Sequence, residues 1–152
     1  MNIEVKISKR RISYKKAMET LDNRVQEIKE NKNRELLWIL EHPTTYTAGI
    51  RFSKNEILDK KIKLIKTNRG GKITLHNPGQ KIIYFVINLN NRKKDIRKLI
   101  NSIENSIIEF LRIYKIEAKN DKKNIGIWVN QKKNSCNWFK SFKVDSISWM
   151  FY

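Results

Sequence analysis

Residues 68–89 read NRGGKITLHNPGQKIIYFVINL, a glycine-containing segment that runs directly into an apolar one. From Lys81 to Leu89 most residues are β-branched or aromatic, which predicts a buried strand. Asn68 to Gln80 carries three of the five glycines and one of the two prolines of the chain, a composition typical of a loop. We therefore expect a glycine-rich loop that leads into a strand of the core.

Upstream of this stretch, the apolar spacing predicts a strand, a helix and a second strand. Met1–Arg11 alternates apolar and polar residues and predicts a first strand. Ser13 is a favourable N-cap for a helix that reaches Asn31. Glu35–Glu41 is a continuous apolar run, typical of a buried strand, and His42-Pro43 ends it because proline cannot donate to a ladder. The apolar stripe of the helix consists of Ala17, Met18, Leu21, Val25 and Ile28.

The remaining segments complete a mixed pattern. Thr44–Arg51 is expected to be a loop with a conformationally permissive Gly49, and Lys61–Thr67 a strand. Lys94–Tyr114 predicts a second helix and Asn124–Gln131 a further strand. This order predicts an α+β (mixed α/β) single domain with a mixed sheet flanked by helices. The apolar positions of the second helix are Ile96, Leu99, Ile100, Ile103, Ile107, Ile108 and Leu111.

Length and composition exclude several classes of protein. The 152 residues suffice for one domain, and 39% hydrophobic residues allow a packed core. No apolar run approaches the roughly 20 residues that span a membrane, and the N-terminus lacks a signal-peptide pattern. The single cysteine cannot form an internal disulfide and fits a reducing setting. We expect a cytoplasmic protein without a membrane partner.

The net charge of +18 favours anionic partners. However, the chain holds 24 Lys, 23 Ile and 17 Asn, all of which have A/T-rich codons, so a biased genome would produce the same charge. The basic residues are spread along the chain and do not alternate with aromatic residues, as a nucleic-acid motif would require. Both explanations of the charge stay open.

Arg69-Gly70-Gly71 has the chemistry of a binding loop. Adjacent glycines let a backbone approach a ligand closely, and the arginine adds a fixed cationic fork. Thr74 and His76 are two residues apart and would share one face of a strand. A glycine-rich hairpin with an incidental arginine would contain the same residues, so these residues alone leave both interpretations open.

A longer set of motifs follows a fixed order and resembles the lipoyl(octanoyl) transferases, the lipoate-protein ligase B family. The family pattern runs H-P-x-x-Y-T-x-G, R-G-G-x-x-T-x-H-G-P-G-Q, Y and G-V/I-W-V, and the resemblance covers residues 1–133. Asn77 stands where the family has glycine, at a turn where we expect a positive φ. The matching residues are His42-Pro43, Tyr46-Thr47-Ala48-Gly49, Arg69-Gly70-Gly71, Thr74, His76, Pro78-Gly79-Gln80, Tyr84 and Gly126-Ile127-Trp128-Val129.

The resemblance implies a fold and an activity. The fold is that of the biotin/lipoate protein ligases, here with its C-terminal part missing. The activity is transfer of an octanoyl or lipoyl group from acyl carrier protein to a lysine of lipoyl domains in 2-oxoacid dehydrogenases or of the glycine cleavage H protein. No cofactor or metal is implied, because the donor thioester is already activated. A monomer without a nucleic-acid partner is expected.

The resemblance also assigns site residues. In the family a cysteine thiolate takes the acyl group, and a lysine beside it lowers the pKa of that cysteine. Lys133 stands where this lysine belongs, whereas Cys136 does not match the nucleophile, which lies in a later P-C-G segment. We therefore expect this chain to lack transfer activity. The substrate-binding residues would be Arg69, Gly70, Gly71, Lys72, Ile73, Thr74, Leu75 and His76.

The last residues differ in composition from the rest. Residues 134–152 contain one Ile in 19 residues, against 22 in the first 133. A one-base frameshift in codon 133 would explain this difference. Read out of frame, the codons of Trp138 and Trp149 must yield glycines 11 residues apart, the spacing of two glycines in the family. We expect an incomplete domain over 1–133 and an out-of-frame tail over 134–152.

Two other functions stay open. An ATP-dependent ligase of the lipoate or biotin type would adenylate its acid. A small basic nucleic-acid-binding protein would bind a duplex tightly and with strong salt dependence.

Overall fold

The computed structural model describes residues 3–57, 59, 61–92, 94–120, 127–129, 132–135, 138–141 and 147–151. Their strands form one sheet of five strands and two of three, and two α-helices accompany them. The predicted mixed α/β class is confirmed. In chain order the elements are β1 (Ile3–Ile7), α1 (Tyr14–Lys29), β2 (Glu35–Leu40), β3 (Thr45–Ala48), β4 (Leu64–Lys66), β5 (Ile73–His76), β6 (Ile82–Asn88), α2 (Ile96–Ile113), β7 (Ala118–Asn120), β8 (Ile127–Val129), β9 (Lys132–Ser135), β10 (Trp138–Ser141) and β11 (Ile147–Phe151), with 3-10 turns at Lys54–Glu56 and Leu89–Arg92.

The core lies between α1 and the five-stranded sheet, whose order is β1-β2-β6-β11-β10. Strand β1 runs parallel to β2, and β2 runs antiparallel to β6. Ser13 caps α1 as predicted, since its side chain accepts a hydrogen bond from the Lys16 N–H at 3.4 Å. The core residues, each at most 5% exposed, are Ala17, Leu21, Val25 and Ile28 on α1, Leu36, Trp38 and Leu40 on β2, and Ile82, Tyr84 and Val86 on β6.

The second sheet corrects two expectations. Strand β3 lies between β4, to which it is parallel, and β5, to which it is antiparallel. The loop expected over Thr44–Arg51 therefore contains β3, and the loop expected over Asn68–Gln80 contains β5. Each strand has only four residues, and each finds its antiparallel partner across more than twenty residues of chain. The pattern of apolar residues within a short stretch of sequence cannot reveal a pairing between strands so far apart along the chain.

The second helix is confirmed, with Asp95 as its N-cap accepting a hydrogen bond from the Lys98 N–H at 2.9 Å. Its predicted apolar stripe is buried at Ile103, which is 8% exposed, and half-buried at its other positions. Outside this stripe, Phe110 is 56% and Ile113 77% exposed. The helix contacts β7, which pairs with β8 in the third sheet.

Residues beyond 133 contribute backbone to the main sheet. Strand β11 pairs with β6 from Ile147 opposite Asn88 to Met150 opposite Phe85, and β10 pairs with β11. The predicted domain boundary at residue 133 depends on the reading frame of the coding DNA. The structure does not test the reading frame, so this boundary stays a prediction.

Over the described ranges, neither helix combines the length and apolarity needed to cross a membrane. The same ranges hold no group of three His, Cys, Asp or Glu residues placed to hold a metal ion.

Candidate functional site

Four buried rings from four different elements meet at one end of the core. Tyr14 begins α1, His42 follows β2, His76 ends β5 and Tyr84 lies in the middle of β6. Each ring belongs to a residue that is at most 4% exposed. The ring centroids of His42 and His76 are 5.3 Å apart, and Tyr14 stacks on His76 at 5.8 Å. We call these four residues the histidine–tyrosine cluster.

His42 is held by hydrogen bonds at both ring nitrogens. Nδ1 lies 2.6 Å from the carbonyl oxygen of Ile12, and Nε2 lies 2.8 Å from the hydroxyl oxygen of Tyr84. A carbonyl oxygen can only accept, so Nδ1 carries the proton and Nε2 accepts from the Tyr84 O–H. The network thus assigns one tautomer to a neutral His42.

Burial keeps the cluster uncharged at neutral pH. Desolvation, with smaller contributions from the nearby His42 and Arg69, lowers the pKa of His76 to about 4. Desolvation also lowers the pKa of His42, which the hydrogen bond to Ile12 partly offsets. The pKa of Tyr14 is raised to about 12, again chiefly by burial. Both histidines are therefore neutral and both phenols protonated at pH 7.

Arg69 is 1% exposed, and its guanidinium is bound by the chain itself. Nη2 donates to the carbonyl oxygens of Thr47 and Lys72 and to Thr47 Oγ1, each at 2.9 Å. Nη1 donates to the carbonyl oxygen of Gly70 at 2.9 Å. The cationic fork expected to face a ligand thus faces carbonyl oxygens, and it fastens residues 69–72 to β3. We call this arrangement the Arg69 clamp.

Backbone hydrogen bonds from Gly49 and its neighbour Ile50 hold the same loop at a second place. The Gly49 N–H donates to the Lys72 carbonyl oxygen at 2.9 Å, and the Ile50 N–H donates to that of Arg69 at 3.0 Å. A Cβ at Gly49 would lie 2.8 Å from the Gly70 oxygen and 2.9 Å from the Arg69 oxygen, and nearer still to the Gly71 oxygen. The residue is glycine because a backbone lies against it, and the conformational freedom expected for a loop glycine is not the reason.

The two glycines of the loop differ from each other. Gly71 is buried and has a φ of 86°, a backbone conformation that favours glycine. Gly70 is half-buried, and a Cβ built on it would meet no atom within 4 Å. Neither sterics nor a left-handed backbone requires glycine at position 70, so the open space beside it is available to a ligand.

The other predicted substrate-binding residues lie at β5: Lys72 directly precedes this strand and the rest belong to it. Thr74 and His76 share the face on which their β3 partners Thr47 and Thr45 lie, as their spacing predicted. Ile73 and Thr74 are half-buried, whereas Lys72 and Leu75 are exposed. The structure therefore brings Arg69, Gly70, Gly71, Thr74 and His76 together, and the substrate-binding role of residues 69–76 stays a prediction.

The turn after β5 departs from one expectation. The positive φ expected at Asn77 is found instead at Gly79, whose φ is 86°. The Gly79 N–H donates to Glu41 Oε2 at 3.0 Å, which ties this turn to the end of β2. The residue with a positive φ in this turn is thus Gly79, two residues after Asn77, where the sequence departs from the family pattern.

His42 and Tyr84 matched the family motifs, but sequence reasoning gave neither residue a role in the site. Tyr84 stands between the inward-facing Ile82 and Val86 of β6, and a buried phenol needs a hydrogen-bond partner. The alternation of inward-facing residues along β6 was the sequence signal that could have identified Tyr84 as a buried, hydrogen-bonded residue.

The side chains of Lys133 and Cys136, two residues discussed in the sequence analysis, are outside the described set. Lys133 lies on β9 with its backbone opposite Trp128, and its side chain is outside the described set. Cys136, the single thiol of the chain, lies outside the described residues. The activating role of Lys133 and the bystander role of Cys136 stay predictions.

In chemical terms the interior of the site offers no free charge to a ligand. The carbonyl oxygens of the chain bind the Arg69 guanidinium, and the histidine–tyrosine cluster is uncharged at pH 7. Open space lies beside Gly70, and Lys72 of the same loop is exposed.

Comparison with known proteins gives concordant results. Residues 13–143 match the family described as the lipoyl protein ligase A/B catalytic domain, a range that includes part of the predicted tail. The chain is 40% identical over 129 residues to an octanoyltransferase of Wolbachia sp. subsp. Brugia malayi (strain TRS), covering 84% of this chain and 63% of that protein. It is 42% identical over 125 residues to an octanoyltransferase of Wolbachia pipientis wMel, covering 82% and 61%.

The chain thus spans about three-fifths of the length of these curated relatives. Its fold is similar to that of a bipartite lipoate protein ligase from Thermoplasma acidophilum, with a TM-score of 0.67 at 14% identity over 99% of this chain and 60% of that one.

Proposed function

Because the chain belongs to the lipoyl protein ligase A/B catalytic domain family, we propose that it is the acyl-binding part of an octanoyltransferase that serves protein lipoylation. The donor would be octanoyl acyl carrier protein. The acceptor would be a lysine of a lipoyl domain or of the glycine cleavage H protein.

The observation that carries this proposal is the contrast between Gly49 and Gly70. Gly49 is packed against carbonyl oxygens of the loop, whereas Gly70 on the same loop borders open space. Arg69 and Gly49 fasten this loop to β3, so the open side of Gly70 has a defined position. A preformed site costs less ordering entropy on binding than a mobile loop does.

The proposed reaction divides into binding and transfer. The octanoyl group binds beside Gly70. A cysteine thiolate then attacks the donor carbonyl, so that a new thioester forms and the thiol of the carrier leaves. The amine of the acceptor lysine attacks this thioester, which gives the amide, releases the cysteine and loses one proton.

Within this scheme the residues of the chain have separate roles. Lys133 would lower the pKa of the attacking cysteine. By the family pattern the nucleophile lies in a different segment from Cys136.

The Gly70→Ala variant tests the proposal. The added methyl group meets nothing in the free protein, so the urea midpoint should not change. In the ligand-bound state it occupies ligand space, and the affinity for octanoyl acyl carrier protein should fall on the order of tenfold. The affinity is measured by calorimetric titration of the wild type and the variant.

Two results would overturn the proposal. Equal affinity of both proteins would show that the acyl group does not bind beside Gly70. Formation of an acyl-adenylate from lipoate and ATP would identify an ATP-dependent ligase instead.

A further inference from the structure

Within the described part of the chain, strand β1 pairs with β2 on one side and forms an edge of the five-stranded sheet. The Ser8 N–H, which directly follows β1, donates to the Ile39 carbonyl oxygen on β2 at 2.9 Å. Backbone groups of successive residues point to opposite sides of a strand, so the N–H and C=O groups of Ile3, Val5 and Ile7 point away from β2. These groups line the open edge, where a further strand could pair with them.

The charged residues of β1 lie on the face that α1 covers. Glu4 Oε2 accepts a hydrogen bond from Nη1 of Arg24 on α1 at 2.8 Å. This hydrogen bond lowers the pKa of Glu4, so the carboxylate is ionised at neutral pH. Lys6 Nζ lies 4.7 Å from the ring centroid of Trp38, a core residue of β2. Strand β1 thus carries one negative and one positive charge, two residues apart, on the same face.

The opposite face of β1 is apolar and exposed. Side chains alternate between the two faces of a strand, so Ile3, Val5 and Ile7 share the face that points away from α1. Ile3 is 38%, Val5 61% and Ile7 68% exposed. Branched apolar side chains along an open edge favour pairing with another strand, because the pairing removes them from water.

We propose that β1 pairs antiparallel with β1 of a second copy of this chain, about a two-fold axis that passes beside Val5. Ile3 of one copy then lies opposite Ile7 of the other, and the two Val5 residues lie opposite each other. These residues hold the outward N–H and C=O groups on both strands, so each donor meets an acceptor. The two five-stranded sheets become one continuous sheet. This dimer departs from the monomer expected from the sequence.

The charges of β1 distinguish this register from its neighbours. Glu4 of each copy lies opposite Lys6 of the other, in the non-hydrogen-bonded kind of pair, whose side chains are closest. Opposite charges in such a pair stabilise it. The smallest shift that keeps the outward backbone groups paired is two residues, and it would place Glu4 opposite Glu4 or Lys6 opposite Lys6. Like charges directly opposite each other destabilise a sheet, so the strand is complementary to itself in one register.

The net charge of +18 on each copy opposes this association. Salt screens that repulsion, since the Debye length falls from about 10 Å at 0.1 M to about 3 Å at 1 M. Apolar contacts and backbone hydrogen bonds do not depend on net charge. The five residues of β1 are also fewer than the roughly 20–30 on each side of a standard interface. We therefore expect a weak dimer whose population rises with protein concentration and with moderate salt.

The test is a charge swap between two variants. The proposed register places glutamates opposite each other in Lys6→Glu and lysines opposite each other in Glu4→Lys, so neither variant alone should dimerise. In an equimolar mixture each glutamate of the first variant faces a lysine of the second, and dimers should form. The control is Lys98→Glu, which changes an exposed lysine on α2 and alters the net charge as Lys6→Glu does.

Sedimentation equilibrium of the full chain measures association from about 10 μM to about 1 mM protein, a range that covers weak dimers. At moderate salt we expect Lys6→Glu and Glu4→Lys each to associate on the order of tenfold more weakly than the wild type. The mixture and Lys98→Glu should associate like the wild type. Thermal unfolding shows whether each variant is folded, since Glu4→Lys also removes the ion pair with Arg24. Should Glu4→Lys not fold, Lys6→Glu measured against Lys98→Glu decides the question.

Three results would overturn the pairing. A wild type that stays monomeric up to about 1 mM at every salt concentration has no such contact. Association that Lys6→Glu leaves unchanged takes place on another surface. Folded variants that do not associate when mixed would show that Glu4 and Lys6 do not face each other. The contact uses no residue of the Arg69 clamp or of the histidine–tyrosine cluster, so its test is independent of the proposed function.

Discussion

Arg69 and Thr47 are joined by two contacts of 2.9 Å, from Arg69 Nη2 to the carbonyl oxygen and to the hydroxyl oxygen of Thr47. This pairing fixes the glycine loop to the middle of the second sheet. An arginine that the sequence suggested as a ligand-facing fork is a buried fastener of the loop.

Replacing Arg69 by lysine should therefore destabilise the protein. A single ammonium group cannot replace a planar fork that reaches three carbonyl oxygens, and each buried group left without a partner costs about 1–3 kcal/mol. Urea unfolding measures the loss. The matched control is Arg51→Lys, an exposed arginine in the neighbouring loop, which should change the free energy of unfolding by less than about 0.5 kcal/mol. Equal stability of both variants would show that the clamp has no structural role.

Gly49→Ala should destabilise the protein, whereas Gly70→Ala should not. A methyl group at position 49 lies within 3 Å of backbone oxygens that the clamp holds in place, so overpacking should cost about 1–3 kcal/mol. A methyl group at position 70 meets nothing and should leave the urea midpoint unchanged. The contact between Gly49 and the loop would be disproved if Gly49→Ala unfolded at the wild-type midpoint.

Tyr84→Phe tests the hydrogen bond to His42. Removing the hydroxyl leaves the buried Nε2 without its donor, at a cost of about 1–3 kcal/mol. Tyr114→Phe serves as control, because Tyr114 is 64% exposed and keeps its ring contact with Phe110. The network assigned to His42 would be wrong if the two substitutions had the same small effect.

Stability should fall as the pH is lowered from about 6.5 to about 4. In the unfolded chain His76 titrates near 6.5, whereas burial holds its pKa at about 4 in the folded protein. Between these values the unfolded state binds more protons, so acidification favours unfolding, by about 3 kcal/mol for His76 as an order of magnitude. His42, whose pKa burial also lowers, contributes in the same direction. Urea titrations across this range should show a shallower slope for His76→Gln, and an unchanged slope would refute the assignment.

Cys136→Ser should leave octanoyl binding unchanged, because the family pattern places the nucleophile in a different segment. The companion measurement is the coding DNA across codons 128–140, where the frameshift hypothesis predicts one inserted base within a run of A. Transfer activity that the wild type shows and Cys136→Ser lacks would contradict the assignment of the nucleophile to a different segment. It would also contradict the frameshift hypothesis, which depends on that assignment.

Sequence patterns identified the elements whose signals are local. The stripe Ala17–Leu21–Val25–Ile28 and the cap Ser13 specify α1, and the apolar runs of β2 and β6 are recognisable without tertiary context. Strand β3 escaped detection, and only the spacing of Thr74 and His76 suggested β5, because Thr47 and Thr74 become neighbours only when the chain folds back. Short pairings of this kind carry no signal within a single window.

The position of the candidate site along the chain could be predicted from the sequence, whereas the surroundings of its side chains could not. The R-G-G motif located the loop, and the spacing of Thr74 and His76 placed them on one face. Whether Arg69 faces a ligand or carbonyl oxygens depends on its burial, which only the assembled sheet determines. The need for glycine at position 49 likewise arises from a backbone twenty residues away.

The most direct measurement of the central claim is the change in backbone amide chemical shifts when octanoyl acyl carrier protein is added to the isotopically labelled chain. The largest changes are expected at Gly70, Gly71 and Thr74. Changes confined to another surface, such as the apolar depression lined by Phe52, Ile57, Ile62 and Leu64, with the loop of residues 69–76 unaffected, would contradict it.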